Sequence, residues 1–214
     1  MTTNNFTEFY VSVDIEATGP IPGDYSMSSL GAFIAGARNA DGTFTRFDRK
    51  DSRNIFYVEL APISEKFIPE AIKVGLLEGL PSDISDVSGE LRFQWMKEHG
   101  VKADLAIKSF ADWVNSAKSR LSARPLFAAY PASFDWMFVY WYLQHFAVES
   151  PFGFSGVRDM KEMYATKANV PFSKANKRSM PKHLLKSDAP HTHHALDDAI
   201  GQGHFLMNLL EWNS

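Results

Sequence analysis

The sequence predicts an α/β protein with a mixed central β-sheet flanked by helices. Apolar, β-branched runs separated by turn signals come first and predict an antiparallel meander. Beyond residue 100 a helix, a short apolar strand and another helix follow one another, which is typical of parallel α/β units. Because both patterns lie on one chain without a convincing linker, we expect one sheet that contains both strand orientations.

Length and composition favour an ordinary soluble globular protein. The 214 residues are 45% hydrophobic and 22% charged, so we expect a single domain over residues 1–214. The chain has no Cys, which excludes disulfides and thiolate chemistry and is compatible with the cytoplasm, where we expect the protein. We expect no signal peptide and no membrane partner. The net charge of −3 argues against coating long duplex nucleic acid, but it allows a local basic patch.

The first half of the chain predicts the meander and three helices. Strands are expected over 11–19, 29–37, 44–47 and 55–60, with Asp41-Gly42 favouring a tight hairpin connection. Pro69 fits the first turn of a helix that runs to Leu77 and is stopped by Gly79-Leu80-Pro81. Helical spacing of apolar residues predicts two more helices, over 86–99 and 104–121.

The second half predicts the parallel part of the sheet. A short strand over 125–130 leads into a helix that opens at Ser133, the expected cap, and runs to about Phe146. An edge strand over 157–160 and a short helix over 161–165 follow. Residues 167–190 are basic and loop-like, and an amphipathic helix over 194–212 closes the sequence.

Two carboxylates on the first strand suggest a metal site. Strand side chains alternate between the two faces, so Asp14 and Glu16 point the same way. Two buried anions repel each other unless a proton or a cation intervenes, and a divalent metal is the simplest solution. The alternative is an ordinary pair of half-exposed acids at the end of a strand.

Asp135 lies where an apolar strand gives way to a helix. An acid near a helix N-terminus is favourable by about 0.3–1 kcal/mol without any function. The alternative is that Asp135 faces the same cleft as the first strand, because α/β sheets bind ligands at the carboxyl ends of their strands.

The third candidate segment is the histidine cluster before the last helix. His194 and Asp198 are four residues apart and would share a helix face, whereas His193 would stand in the preceding loop. A loop histidine can approach a substrate while the helical acid stays fixed. Spacing alone leaves both registers open, and three histidines can also simply decorate a polar helix start.

Together the segments DIEATG (14–19), SFD (133–135) and HHALDDA (193–199) resemble the DEDD superfamily of 3′–5′ exonucleases. The H-x4-D spacing of the third motif is similar to that of the DEDDh, or DnaQ-like, subclass, which includes RNase T, oligoribonuclease and proofreading subunits. This resemblance implies an RNase H-like fold and selects His193 and Asp198 rather than His194 and Asp197.

The resemblance also implies a two-metal mechanism. Asp14, Glu16 and Asp198 would hold two Mg²⁺ or Mn²⁺ ions, and Asp135 would assist through a bound water. His193 would take the proton of the attacking water. The expected reaction removes nucleoside 5′-monophosphates from the 3′ end of single-stranded nucleic acid, with RNA favoured over DNA because the chain shows no evident polymerase-binding tail.

Substrate contacts are expected from three kinds of residue. The strand's phosphates would bind the basic segment, and the terminal nucleotide would meet backbone and apolar groups near the first motif. The candidates are Lys177 and Arg178 for the phosphates, Thr18 and Gly19 through their backbone, and Met27, Leu30 and Phe67 for the base. Tyr130 and Pro131 stand where relatives often carry His-Asn, so contacts at this junction are expected to differ.

Other functions compete with this one. The chain could act on DNA in proofreading or repair, or be a catalytically silent RNase H-like module that binds nucleic acid or a protein. A mononuclear metal hydrolase would use His191, His193 and Asp198 and would not need the Asp14–Glu16 pair. Several relatives form dimers, so a homodimer is one alternative for the oligomeric state, which the sequence leaves open.

Overall fold

A mixed six-stranded sheet forms the centre of the computed structural model, which describes residues 5–80, 88–189 and 192–212. The strands are β1 Phe6–Ala17, β2 Met27–Asn39, β3 Phe44–Arg46, β4 Ile55–Glu59, β5 Arg124–Ala129 and β6 Val157–Asp159. β1 pairs antiparallel with β2 and parallel with β5, and β5 pairs parallel with β6. The predicted α/β class with a mixed sheet is therefore confirmed.

The antiparallel part differs from a simple meander. β2 is long enough to hold two partners on one edge: β3 pairs with its residues 36–38 and β4 with its residues 29–33. β4 therefore returns to β2 instead of extending the sheet beyond β3. A short 3-10 turn, Ser52–Asn54, lies in the link between β3 and β4.

Six helices are described. They are α1 Pro69–Val74, α2 Gly89–His99, α3 Ala103–Leu121, α4 Ala132–His145, α5 Met160–Lys167 and α6 Ala195–Glu211. The predicted start of the second helix at 86 lies outside the described residues. α1 ends three residues earlier than predicted, because Gly75 has extended backbone angles.

The cap of α4 is also different from the prediction. Ser133 lies inside the helix, and Pro131 is the N-cap residue. The side chain of Asp159 supplies the cap instead, since its Oδ2 accepts a hydrogen bond of 2.9 Å from the Ala132 amide. Because Asp159 is 27 positions away from Ala132 in the sequence, this cap could not be predicted from the residues around 133.

The two faces of the sheet carry separate apolar layers. Odd-numbered residues of β1, such as Val11 and Val13, pack with α3 and α4, whereas Tyr10 packs on the opposite face with α5 and α6. Asp14 and Glu16 belong to the even-numbered side, so they point towards α6. The sheet thus separates the larger core from the face that carries the acids.

α6 lies unusually close to the sheet because glycines form the contact. A Cβ atom on Gly31 of β2 would overlap the carbonyl group of Ala195. A Cβ atom on Gly203 of α6 would lie 2.6 Å from the ring of Phe33. These contacts fix the start and the middle of α6 directly on the strand next to Asp14.

Candidate active site

The carboxylates of the three motifs meet at the carboxyl ends of β1 and β5. β1 carries Asp14 and Glu16, and the first turn of α6 carries Asp198. A ligand atom each of Glu16, His193 and Asp198 lies within 4.8 Å of the other two. Carboxylate oxygens and imidazole nitrogens are donors that divalent cations accept, so this donor set fits a metal ion.

Asp135 reaches the same site from the first turn of α4. Its side chain is 5% exposed, and its Oδ1 accepts a 3.0 Å hydrogen bond from the amide of Ile15. This bond joins the N-terminus of α4 to the strand between Asp14 and Glu16. The structure therefore favours the cleft-facing alternative for Asp135 over an exposed helix-end acid.

The two neighbouring histidines have different environments. His193 is exposed, has a positive φ of 58° and lies beside Glu16 and Asp198. His194 is buried at the N-cap of α6, where its ring packs on Tyr57 with centroids 4.4 Å apart. The structure thus brings His193, and not His194, to the acid cluster. His191 lies outside the described residues.

The segment after α1 holds the backbone of His193. The amide of Leu76 donates a 2.9 Å hydrogen bond to the His193 carbonyl. Next to it, Gly75 packs on Glu16, and a Cβ atom at this position would lie 2.9 Å from the Glu16 Cγ. The same segment therefore covers the glutamate and positions the histidine loop.

The electrostatics of the site favour a bound cation. Burial raises the pKa of Asp14 well above its usual value, and nearby Asp135 raises it further. Burial, together with Asp198, raises the pKa of Glu16 to about 8. Burial also raises the pKa of Asp135 to about 7, although the Ile15 amide opposes this rise. Ionising these acids together is unfavourable unless positive charge enters the site.

An apolar groove of about 380 Å³ adjoins the acid cluster on the side of Glu16. Its walls come from the first motif, from α1 and from the start of α4: Glu16, Gly19, Ile68, Ala71, Val74 and Phe134. Val74 is 51% exposed and Phe134 is 37% exposed, so both side chains are accessible to a ligand. Phe134 directly precedes Asp135, but no pattern in the sequence marks it as a groove-lining residue.

Most of the predicted base and backbone contacts are not available at the surface. Met27 and Leu30 are 0% and 1% exposed and belong to the core. The Thr18 amide donates a hydrogen bond to the Ser26 carbonyl, and the Thr18 carbonyl accepts one from the Ile68 amide. The structure therefore does not present the side chains of Met27 and Leu30, or an unbonded Thr18 amide, to a bound nucleotide.

The two other predicted contacts near the first motif have different outcomes. Gly19 lines the groove, but the ring of Tyr25 packs directly over it. Phe67 stacks on Phe93 of α2 with ring centroids 4.6 Å apart. One face of Phe67 is therefore already covered by a neighbouring helix.

The basic segment is anchored in the core rather than being a mobile loop. Ala175, Met180 and Leu184 are buried in the layer beneath α6, and the Tyr130 hydroxyl donates to the Ala175 carbonyl at 2.9 Å. Lys177 extends over the Tyr130 ring, with its Nζ 5.3 Å from the centroid.

Lys177 also lines a pocket of about 260 Å³ that includes Asp198 and Gln202. Its positive charge lowers the pKa of Asp14, against the effect of burial. Arg178 is exposed on the same segment. Of the two predicted phosphate contacts, the structure thus brings Lys177 next to the acids.

This fold and this arrangement of four acids and a histidine define a 3′–5′ exonuclease of the DEDDh class. The chain belongs to the family of the Rv2179c-like 3'-5' exoribonuclease domain, whose model matches residues 87–210. The sequence is also 33% identical over 194 residues to the 3'-5' DNA exonuclease Cap18 of Escherichia coli, covering 90% of this chain and 86% of that protein.

Solved structures agree on the fold. The nuclease domain of 3'hExo, a DEDDh family member bound to rAMP, superposes with a TM-score of 0.67 at 14% identity, covering 97% of this chain and 94% of that chain. Pop2p of S. pombe, in its Mg²⁺- and Mn²⁺-bound form, has a TM-score of 0.55 at 12% identity, covering 92% and 81%. Within the described residues, we find no helix with the length and apolar character of a membrane span.

Proposed function

We propose that residues 1–214 form one exonuclease domain that hydrolyses single-stranded nucleic acid from its 3′ end with the help of two divalent cations. The observation that carries this proposal is the cluster of Glu16, His193 and Asp198, whose ligand atoms lie within 4.8 Å of one another. Asp14 and Asp135 complete the cluster from β1 and α4. The expected products are nucleoside 5′-monophosphates.

Asp14, Glu16 and Asp198 are the proposed ligands of two Mg²⁺ or Mn²⁺ ions, with Asp135 acting through a bound water. When bound, the two cations would neutralise the phosphate, acidify the attacking water and stabilise the leaving oxygen. Burial, together with the neighbouring acids, raises the pKa values of Asp14 and Glu16; this supports the assignment, since a bound divalent cation stabilises ionised carboxylates in such a site. Pop2p binds Mg²⁺ and Mn²⁺ on a similar fold.

His193 is the proposed general base. A ring nitrogen of His193 would accept the proton of the attacking water, which is the usual role of histidine as a general base. The histidine is exposed and approaches the acids from the loop before α6. The hydrogen bond from the Leu76 amide to the His193 carbonyl holds the backbone of this loop beside Glu16 and Asp198.

The substrate would lie across the acid cluster from the apolar groove to the basic segment. We assign the 3′-terminal nucleoside to the groove, where the exposed ring of Phe134 offers a stacking surface. The scissile phosphate would then meet the acids and their cations. Lys177 is suitably placed for a phosphate of the remaining strand.

We propose RNA as the preferred substrate, and the description of the matching family as an exoribonuclease domain supports this choice. DNA is the second candidate, because the relative that is 33% identical over 90% of the chain is a DNA exonuclease. The two sugars differ by the 2′-hydroxyl, so a pocket that bonds this group would favour RNA.

Matched single-stranded RNA and DNA oligonucleotides, labelled at the 5′ end, test the reaction and the sugar preference together. With Mg²⁺ we expect a ladder of 3′-shortened products, faster for RNA, and the ladder should disappear in Asp14→Ala. Asp112→Ala removes an exposed acid of α3 and should retain activity. Full activity of Asp14→Ala would refute the metal assignment, and faster cleavage of DNA would select the second candidate.

We also propose a homodimer located in the cytoplasm. The aromatic stretch of α4 supports the dimer, since Tyr140 and Trp141 remain partly accessible on the outer side of the helix. Light scattering after size exclusion would measure the mass, and a mass near 24.1 kDa would contradict the dimer. Cell fractionation tests the location.

A further inference from the structure

We propose that Gln202 is a positioning residue that holds the carboxylate of Asp14 in the orientation required for metal binding. The Gln202 Nε2 donates a 2.6 Å hydrogen bond to the Asp14 Oδ1 across 188 residues of sequence. An ionised carboxylate only accepts hydrogen bonds, so the amide nitrogen, and not the amide oxygen, must face it. The inference rests on the proposed function, in which Asp14 is a metal ligand.

Gln202 follows Asp198 by four residues on α6, so both side chains project from one face of the helix. One helix therefore supplies a proposed metal ligand and also a donor to another proposed ligand, Asp14 of β1. The glycine contacts that seat α6 on the sheet fix the distance over which Gln202 must reach. The hydrogen bond thus ties together the two elements that would share the cations.

The surroundings of Gln202 indicate that packing alone does not explain this residue. Its side chain is buried, with 5% exposure, among the apolar residues of α6. In the described parts of the chain, no donor lies within hydrogen-bond distance of its Oε1. A buried amide oxygen without a partner is unfavourable, and an apolar side chain of similar size would avoid this. The bond to Asp14 is the contact that distinguishes Gln from such a residue.

Gln202→Met is the direct test, because it keeps the length of the side chain and removes the donor. We expect the dissociation constant for Mn²⁺ to rise roughly 10- to 100-fold, as is usual when the partner of a metal ligand is removed. Mn²⁺ binding is measured without substrate, from the electron paramagnetic resonance signal of the unbound ion. In kinetics, kcat should fall at limiting Mg²⁺ and recover in part at high Mg²⁺, with KM for the oligonucleotide nearly unchanged.

Two further variants separate the possible outcomes. Asn208→Leu removes hydrogen bonds from the same helix to the Leu184 and Lys186 carbonyls and should leave Mn²⁺ affinity unchanged. Asp14→Asn should lose Mn²⁺ binding, and wild-type affinity in Asp14→Asn would refute the proposed metal site itself. If Asp14→Asn loses the ion but Gln202→Met binds it like wild type, or only melts at a lower temperature, the inference about Gln202 is wrong.

Discussion

Replacing Glu16 by Gln should stabilise the metal-free protein at alkaline pH. The pKa of this carboxyl rises from 4.5 to about 8 on folding, so the folded state holds the proton more tightly than the unfolded state. Below pH 4.5 both states are protonated and there is no effect. Between about pH 4.5 and 8 the unfolded state releases the Glu16 proton, whereas the folded state either retains it or buries the negative charge. The free energy of unfolding therefore falls progressively as the pH rises through this range.

The size of the effect follows from the same values. One unit of pKa corresponds to about 1.36 kcal/mol, so the ionised Glu16 destabilises the fold by roughly 4 kcal/mol at pH 8. For a chain of this size, 1 kcal/mol shifts the melting temperature by about 2–4 °C. In EDTA, Glu16→Gln should therefore melt about 8–16 °C above wild type at pH 8 and close to wild type at pH 4.5.

Scanning calorimetry from pH 4.5 to 8, with EDTA and with Mg²⁺, checks this prediction. Mg²⁺ should stabilise wild type at pH 8 much more than at pH 5, and it should stabilise Glu16→Gln less. Glu8→Gln is a matched control on the same strand, eight residues before Glu16, and it should follow the wild-type profile. Identical pH profiles for wild type and Glu16→Gln in EDTA would refute the electrostatic reasoning.

Three predictions concern catalysis and substrate binding. His193→Ala should lower kcat by roughly 10²- to 10⁴-fold with little change in oligonucleotide binding. His194→Ala should mainly lower the melting temperature. The reverse pattern would make His194, and not His193, the general base. Phe134→Ala should raise KM by about 5- to 100-fold, because one stacking contact is lost. An unchanged KM would show that the terminal nucleoside does not bind in the groove. Lys177→Ala should reduce the slope of log affinity against log salt concentration by about 0.7, because one phosphate contact is lost. Fluorescence anisotropy measures this slope. Lys118→Ala, at the opposite end of the sheet, is the control and should leave the slope unchanged.

The sequence predicted those parts of the fold that depend on local patterns. Alternating apolar runs located β1, β2 and β5, and the three motifs located the acids of the site. The end of α1 was not predictable in this way. Leu76 leaves the helix and bonds to His193, a partner 117 positions further along the chain.

The errors in the substrate contacts have the same cause. Met27 was predicted to contact the terminal base, but its amide donates to the Tyr142 hydroxyl, 115 residues away, and its side chain is enclosed in the core. Gln202 carries no motif, because its importance depends on the approach of α6 to β1. Long-range packing determines both the burial of Met27 and the contact between Gln202 and Asp14. No short sequence pattern reveals such packing.

The glycine contact beneath α6 has a consequence for how this site can vary. The separation between Asp14 and Asp198 is set where the backbone of Ala195 rests on Gly31, not by any side chain of the site. A single methyl group at residue 31 would lift the helix and widen the gap between the carboxylates of the proposed metal site. Gly31→Ala should therefore abolish activity although the sequence still contains every acid and His193, so an intact set of motif residues does not guarantee an active enzyme.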